Sequence, residues 1–207
     1  MNPAAMVPQT GLRGGGVVVV VVGPSGAGKD ALISLARRHY AGNKWVVFPE
    51  RIVTRDAVPD AEAHATASAA EFEAIEAAGA FAVAWRAHGH AYGIPASIAD
   101  EVRAGAVVVL NVSRRVVDAL RRRFARVHVV YVTADAEVLA ERLRARGRES
   151  GEEIARRLAR GRAVERPTPP VTVIDNSGAL PDAADAFIAV LDSYVPAAPV
   201  GRNEWPG

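Results

Sequence analysis

The stretch that decides the fold is VVVVVVGPSGAGKD, residues 17–30. Its six consecutive valines, Val17–Val22, are apolar at odd and even positions alike, which predicts a strand buried on both faces within a parallel sheet. The glycines that follow let the backbone turn tightly, and a helix predicted over 31–39 would point its positive end toward the same turn. Strand, glycine-rich loop and helix in this order predict a phosphate-binding site.

The loop matches the pattern G-x-x-x-x-G-K, whose lysine reaches the terminal phosphates of a bound nucleotide. Lys29 and Lys44 are the only lysines of the chain, so a lysine at this position is informative, and we predict a catalytic role for Lys29. The residues predicted to contact the nucleotide are Gly23, Ser25, Gly26, Ala27, Gly28, Lys29, Asp30 and Ala31. The alternative is a plain glycine-rich turn between a strand and a helix.

The residue after the lysine departs from the pattern, which continues with Ser or Thr to place a hydroxyl on Mg²⁺. This chain has Asp30 instead, a negative charge beside a loop that binds anions. One interpretation is a site that has lost its function. The other, which we favour, is that the carboxylate is itself a magnesium ligand, directly or through water, with nearby arginines offsetting its charge.

The composition is that of an ordinary α/β domain. Of the 207 residues, 50% are hydrophobic and 23% are charged, and the formal net charge of +2 implies no polyanion partner. The absence of cysteine excludes disulfides, zinc–thiolate sites and cysteine nucleophiles, and it fits a reducing cytoplasm, where we expect the protein. Because the valine run is far too short to cross a bilayer, no membrane association is predicted.

Strands and helices alternate along the chain. Further strands are predicted over 45–48, 106–112, 127–132 and 171–174, and further helices over 116–124, 136–146, 152–164 and 183–194. This alternation predicts a parallel, doubly wound sheet with helices on both faces. Residues 1–15 and 196–207 are predicted to be a flexible leader and a flexible tail, which leaves one domain over 16–195.

The segment 50–95 differs from what surrounds it. It contains a helix bounded by clear signals, since Ser68 and Glu71 form a capping box and Gly79 ends the helix.

Five segments of the chain occur in the order found in guanylate kinase-like enzymes: GPSGAGKD, ERIVTRDA, SAAEFEAIEAAGAF, HAYGIP and RLRARGRESGEEIARRL. The chain resembles that family over about 17–190. The resemblance implies a P-loop kinase of the α/β class that uses ATP. It also implies that 50–95 is a small inserted acceptor-binding lobe and that about 142–162 is a helical lid.

The resemblance is uneven on the acceptor side. The positions that read guanine in that family hold Val83, Ile94 and Ser113 here, so the matched polar partners that select a base are missing. A subfamily that phosphorylates ribose 1,5-bisphosphate has Asp after the loop lysine and an N-x-S-R turn, as this chain has at 111–114. The acceptor-binding residues that the resemblance implies are Arg51, Arg55, His64, Tyr92, Asn111 and Ser113.

The lid and the last turn supply the other implied residues. By resemblance, Arg146 and Arg157 are catalytic and close over the transferring phosphoryl group, and Arg142 lies along the adenine. The alternative is a solvated basic helix face, but the order R-L-x-x-R-G with a following R-L favours the phosphate role. Asn176 resembles the adenine-side loop of the family, although an ordinary turn asparagine also fits.

The implied reaction is phosphoryl transfer from ATP, with Mg²⁺, to the 1-phosphate of ribose 1,5-bisphosphate, which gives phosphoribosyl pyrophosphate and ADP. One alternative is a guanylate kinase or another nucleoside monophosphate kinase. Another is an inactive guanylate kinase-like module that only binds a partner. Nucleic acid is not expected as a ligand, because the arginines come without aromatic platforms or a recognition module. The sequence leaves open whether the chain forms a homodimer.

Overall fold

The valine run forms the central strand of a parallel sheet. The computed structural model describes residues 15–54, 64–87, 89–145 and 168–196. The strands in chain order are β1 (Val17–Val22), β2 (Val46–Val47), β3 (Arg51–Val53), β4 (His64–Thr66), β5 (Phe81–Ala87), β6 (His90–Pro95), β7 (Val107–Asn111), β8 (Val127–Thr133) and β9 (Val171–Asp175). Within the described residues the main sheet has the order β2-β7-β1-β8-β9, with parallel neighbours throughout.

The inserted segment forms a second sheet of its own, in the order β4-β3-β6-β5. Strand β6 pairs antiparallel with both β3 and β5, whereas β3 pairs parallel with β4. The helix of this lobe has the predicted capping box: Glu71 N–H donates to Ser68 Oγ, and Ser68 N–H donates to a Glu71 carboxylate oxygen. Gly79 follows the helix with a φ of 67°, which favours glycine.

Helices lie on both faces of the main sheet. In chain order they are α1 (Lys29–His39), α2 (Ala69–Ala77), α3 (Ile98–Arg103), α4 (Val117–Arg123), α5 (Ala136–Ala145) and α6 (Leu180–Asp192), with a 3₁₀ turn at Arg114–Val116. The odd valines of β1 pack with α1, α5 and α6, and the even valines pack with α3 and α4. Every residue of β1 is therefore buried, as the run of valines predicts.

The observed boundaries differ from the predicted ones by a few residues. Helix α6 begins at Leu180 instead of 183, because Pro181 is tolerated in a first helical turn. The predicted helix over 116–124 is a 3₁₀ turn followed by α4. The predicted helix at 152–164, the leader up to residue 14 and the tail from residue 197 lie outside the described residues. Within the described ranges, no helix is long and apolar enough to span a membrane.

A buried histidine links the end of α6 to strands β8 and β9. Tyr194 Oη lies 2.9 Å from His128 Nδ1, and Thr172 Oγ1 lies 2.9 Å from His128 Nε2. Because both hydroxyls can donate or accept, a neutral imidazole satisfies both contacts in either tautomer. Burial lowers the pKa of the His128 imidazole below its ordinary value, because the charged form loses its hydration.

We expect this histidine to make the fold less stable in mild acid. Unfolded His128 takes up a proton near its ordinary pKa of 6.5 and folded His128 only at lower pH, so the unfolded state binds more protons between these values. The free energy of unfolding therefore decreases as the pH is lowered through that window, by at most about 1.4 kcal/mol per pH unit for one group. Urea unfolding at several pH values should show a shallower slope for His128→Gln. His39→Gln, which replaces an exposed histidine, is the matched control, and equal slopes for all three proteins would contradict the assignment.

Candidate active site

The loop between β1 and α1 lies at the carboxyl edge of the main sheet. Gly26 and Gly28 both have a φ of 86°, and Gly28 is the cap of α1 without a side-chain hydrogen bond. The first N–H groups of α1 therefore point out of the helix without a capping side chain from that residue. A loop of this form binds anions through backbone N–H groups and the positive end of the helix.

The loop is held against the sheet by close backbone packing. A Cβ atom at Gly23 would overlap the carbonyl oxygen of Val132 in β8. Ala27 is fully buried in the core beside α1. Packing thus sets the shape of the loop before any ligand is bound.

Lys29 extends back over the loop. Its Nζ donates to Gly23 O at 3.0 Å and to Pro24 O at 2.9 Å. The ammonium group is thereby held at the mouth of the loop, where the pattern places the terminal phosphates of a nucleotide. The catalytic role of Lys29 stays a prediction.

Asp30 is bonded to the end of the neighbouring strand. Asn111, the last residue of β7, donates from Nδ2 to Asp30 Oδ1 at 2.6 Å. Asp30 is exposed in the first turn of α1, whereas Asn111 is buried. The structure therefore joins the predicted metal ligand to a residue that the resemblance placed on the acceptor side.

Two buried polar atoms lie beside Gly28. Asn176 is 1% exposed, and its Nδ2 donates to Ala27 O at 2.8 Å. Arg142 Nη1 lies 3.9 Å from the point where a Cβ of Gly28 would be. Among the described residues, neither Asn176 Oδ1 nor Arg142 Nη1 has a hydrogen-bond partner. Because buried polar groups are normally paired, this acceptor and this donor favour a ligand with complementary polar atoms.

Three side chains of the lobe form a layered stack. The Arg51 guanidinium lies 5.7 Å from the centroid of the Tyr92 ring, and Tyr92 stacks on Trp85 with 5.2 Å between centroids. Two of the predicted phosphate-binding residues, Arg51 and Tyr92, are thus in contact. The backbone of His64 pairs in register with Arg51, so the sheet also brings this predicted position alongside them.

The positions that would read a guanine base belong to the core. Val83 and Ile94 are directly paired across β5 and β6 and are only 8% and 1% exposed. Both pack with α3 and α4 beneath the lobe. Ser113 Oγ accepts a hydrogen bond from Arg115 N–H at 3.4 Å and so caps the 3₁₀ turn. Neither Val83 nor Ile94 can supply a polar contact to an acceptor.

A cavity of about 580 Å³ opens in the lobe. The polar side chains that line it are those of Thr54, Glu73, Arg86, His90 and Arg115. We did not predict Arg115 from the sequence, although the N-x-S-R turn just before it was a signal that could have drawn attention to this position. A volume in this range is ordinary for a small-molecule site.

Several predicted residues remain untested by this geometry. Arg55, Arg146 and Arg157 lie outside the described residues, and the side chain of His64 is also outside the description. Within the described ranges, no group of three or more His, Cys, Asp or Glu side chains could hold a metal ion by itself. Any ion at Asp30 would therefore take most of its ligands from phosphates and water, as Mg²⁺ commonly does.

The parallel sheet, the glycine loop and the placed lysine define a P-loop nucleotide-binding protein. A family model described as an AAA domain matches residues 19–163, and the chain belongs to that P-loop class. Two curated relatives are similar to this chain over most of its length. Ribose 1,5-bisphosphate phosphokinase PhnN from Rhizobium etli (strain CIAT 652) is 49% identical over 180 residues, which cover 87% of this chain and 91% of the relative. The protein of the same name from Chelativorans sp. (strain BNC1) is 49% identical over 179 residues, 85% of each chain.

The chain belongs to the ribose 1,5-bisphosphate phosphokinase family. Its fold is similar to the crystal structure of guanylate kinase from Anaplasma phagocytophilum, with a TM-score of 0.61 and 18% identity over 87% of both chains. These comparisons confirm the predicted resemblance, the α/β P-loop kinase fold and the assignment to the phosphotransferases.

Proposed function

We propose that this chain transfers the γ-phosphoryl group of ATP to the 1-phosphate of ribose 1,5-bisphosphate, with phosphoribosyl pyrophosphate and ADP as products. Relatives of that name share 49% of its residues over most of both chains. We also propose a cytoplasmic location, since a chain without cysteine suits a reducing compartment.

The observation that carries the proposal is that the lobe has side chains suited to a phosphate and apolar side chains where a base would be read. Arg51 and Tyr92, which can hold a phosphate, are in contact with each other. Val83 and Ile94, which would have to read a base, are buried in the core and apolar. An enzyme that selects a substrate by its polar groups needs matched partners for them, so this lobe suits a phosphorylated sugar better than a nucleotide.

On the donor side, the loop and its neighbours would hold ATP. The backbone N–H groups after Gly23 and the start of α1 suit the phosphates. The side chains of Arg142 and Asn176 lie beside Gly28, where the first turn of α1 begins, and Arg142 Nη1 and Asn176 Oδ1 have no hydrogen-bond partner among the described residues. We propose that they contact the adenosine end of the nucleotide.

The reaction needs positioning and charge neutralisation more than proton transfer. The attacking phosphate oxygen of the acceptor is already anionic at neutral pH, so no general base is required. Lys29 would offset the charge that develops on the transferring group, and Arg51 would orient the attacking phosphate. We further propose that Arg55, His64, Arg146 and Arg157 add to this binding, with the two lid arginines closing over the phosphoryl group and excluding water.

The residues near the loop fit Mg²⁺ as the metal. Asp30 is an exposed carboxylate and Asn111 carries an amide oxygen, and oxygen donors are what this ion prefers. When bound, Mg²⁺ would neutralise part of the charge of the nucleotide phosphates. Asp30 would hold it, directly or through water.

The test is a panel of acceptors offered with ATP and magnesium and followed by phosphorus NMR. Ribose 1,5-bisphosphate should yield the pyrophosphate resonances of phosphoribosyl pyrophosphate. Ribose 5-phosphate, GMP and AMP should be phosphorylated at least about 10²-fold more slowly, because Arg51 and Tyr92 would bind a phosphate whereas Val83 and Ile94 offer a base no polar partner. Faster turnover of GMP than of ribose 1,5-bisphosphate would overturn the proposed function.

A further inference from the structure

Asp30 and Asn111 form a directly bonded pair where the loop meets the sheet. The Asn111 Nδ2 to Asp30 Oδ1 distance is 2.6 Å. Asn111 ends β7, a strand that is otherwise four apolar residues, and it pairs in register with Val21 of β1. The side chain at the end of this strand therefore reaches the residue that follows the loop lysine.

The chemistry of the two positions is inverted relative to the general P-loop pattern. In P-loop enzymes, Mg²⁺ is held by a Ser or Thr after the loop lysine and by an Asp of the Walker B motif. Here the carboxylate follows the lysine, at Asp30, and the neutral polar side chain ends the hydrophobic strand, at Asn111. The pair as a whole still carries one negative charge and at least one neutral oxygen donor.

The hydrogen bond also sets the orientation of both groups. Because Asn111 donates through its amide nitrogen, its amide oxygen faces away from Asp30. The bond engages Asp30 Oδ1 and not Oδ2, so it fixes the direction of the carboxylate while using only one of its oxygens. A second carboxylate at position 111 would instead lie against the first and repel it.

We propose that Asp30 and Asn111 are a transposed metal-binding pair, in which the carboxylate lies on the helix and the neutral polar side chain lies at the end of the strand. Asn111 is the positioning residue that orients the carboxylate. Asn111 then belongs to the metal side of the site and not to the sugar-phosphate side. This inference deepens the proposed function, because it rests on the binding of a metal–nucleotide complex.

Exchange of the two side chains is the direct test. The variants are Asp30→Asn, Asn111→Asp and the double variant that carries both, which keeps the pair's charge and its hydrogen bond. Calorimetry measures the dissociation constant of ADP with Mg²⁺ and with EDTA, and the ratio of the two reports how strongly the metal supports nucleotide binding. ADP is used so that no acceptor enters the measurement.

Asp30→Asn should lower that ratio by about 10-fold or more, since a ligand to the metal is lost. Asn111→Asp should weaken metal-free ADP binding, because a second carboxylate repels the phosphates. The double variant should return the ratio to within about threefold of the parent, which is the non-additivity expected of groups in contact. Asp118→Asn, which removes an exposed surface charge, should leave the ratio unchanged.

Two outcomes would overturn the pair. If Asp30→Asn changes only the melting temperature and leaves the ratio intact, the hydrogen bond is structural. If the effects of the two single substitutions on the ratio simply add in the double variant, the carboxylate cannot be exchanged between positions 30 and 111. Failure of the parent protein to bind ADP at all would reject the proposed kinase function as well, so the two failures are distinguishable.

Discussion

Lys29→Ala should lower kcat by about 10³-fold while the protein stays folded. The ammonium lies at the mouth of the loop, held by Gly23 O and Pro24 O at 3.0 and 2.9 Å. No other described side chain of the loop carries a positive charge, so the developing charge on the transferring phosphoryl group would lose its nearest cation. Both carbonyls that Lys29 contacts belong to a surface loop and can bond to water, which is why the fold should survive.

The chain offers a matched control for this substitution. Lys44 is the only other lysine of the sequence, and it lies exposed over the Trp45 ring, 5.2 Å from the centroid. Lys44→Ala removes the same charge from the same residue type and should leave kcat within about twofold of the parent, since exposed charges at a distance are screened. Steady-state kinetics on both variants measures kcat, and the melting temperature of each variant shows whether it stays folded. Near-parent turnover of Lys29→Ala would remove the lysine from the mechanism.

Gly23→Ala should strongly destabilise the fold. Gly23 has a φ of 152°, which residues with a side chain rarely adopt, and its Cβ would overlap the Val132 carbonyl oxygen. Backbone of a central strand cannot move aside cheaply, so we expect a loss of about 4 kcal/mol or more in the free energy of unfolding. The displaced loop should also bind ADP poorly.

Substitutions at two other glycines separate the cost of the backbone conformation from the cost of the overlap with Val132. Gly42 has a φ of 79° but open space where a Cβ would lie, so Gly42→Ala tests the backbone conformation alone and should cost about 1 kcal/mol. Gly178 has open space and no positive φ, and Gly178→Ala should be nearly neutral. Denaturant unfolding of the three variants compares them directly. A cost for Gly23→Ala as small as that for Gly42→Ala would show that the loop can move away from β8.

The parts of the structure that follow from short stretches were predictable. Six adjacent valines can be buried on both faces only in the middle of a sheet, and β1 is found there. The capping box of Ser68 and Glu71 formed as its spacing indicates. Boundaries shifted where local chemistry permits more than one start, as at Pro181 in α6.

The partners of the site residues could not be predicted in this way. Asp30 and Asn111 are 81 positions apart, and their hydrogen bond depends on β7 lying next to β1. The same holds for Asn176, which reaches Ala27 across 149 positions because β9 ends at the edge of the sheet where the loop begins. Sequence patterns identified these residues as candidates, but only the folded chain shows that Asn111, predicted on the acceptor side, is bonded to Asp30.

What the chain alone determined was the central strand, the phosphate loop and the alternation of elements, since each depends on residues close together in sequence. The resemblance to guanylate kinase-like enzymes added that apolar residues, Val83 and Ile94, stand where that family reads guanine. The tertiary structure decided that Val83 and Ile94 are buried, that the Arg51 guanidinium packs on the Tyr92 ring, and that Asn111 donates a hydrogen bond to Asp30. Strand order and packing set those contacts, and these are properties of the whole folded chain instead of any one segment of it.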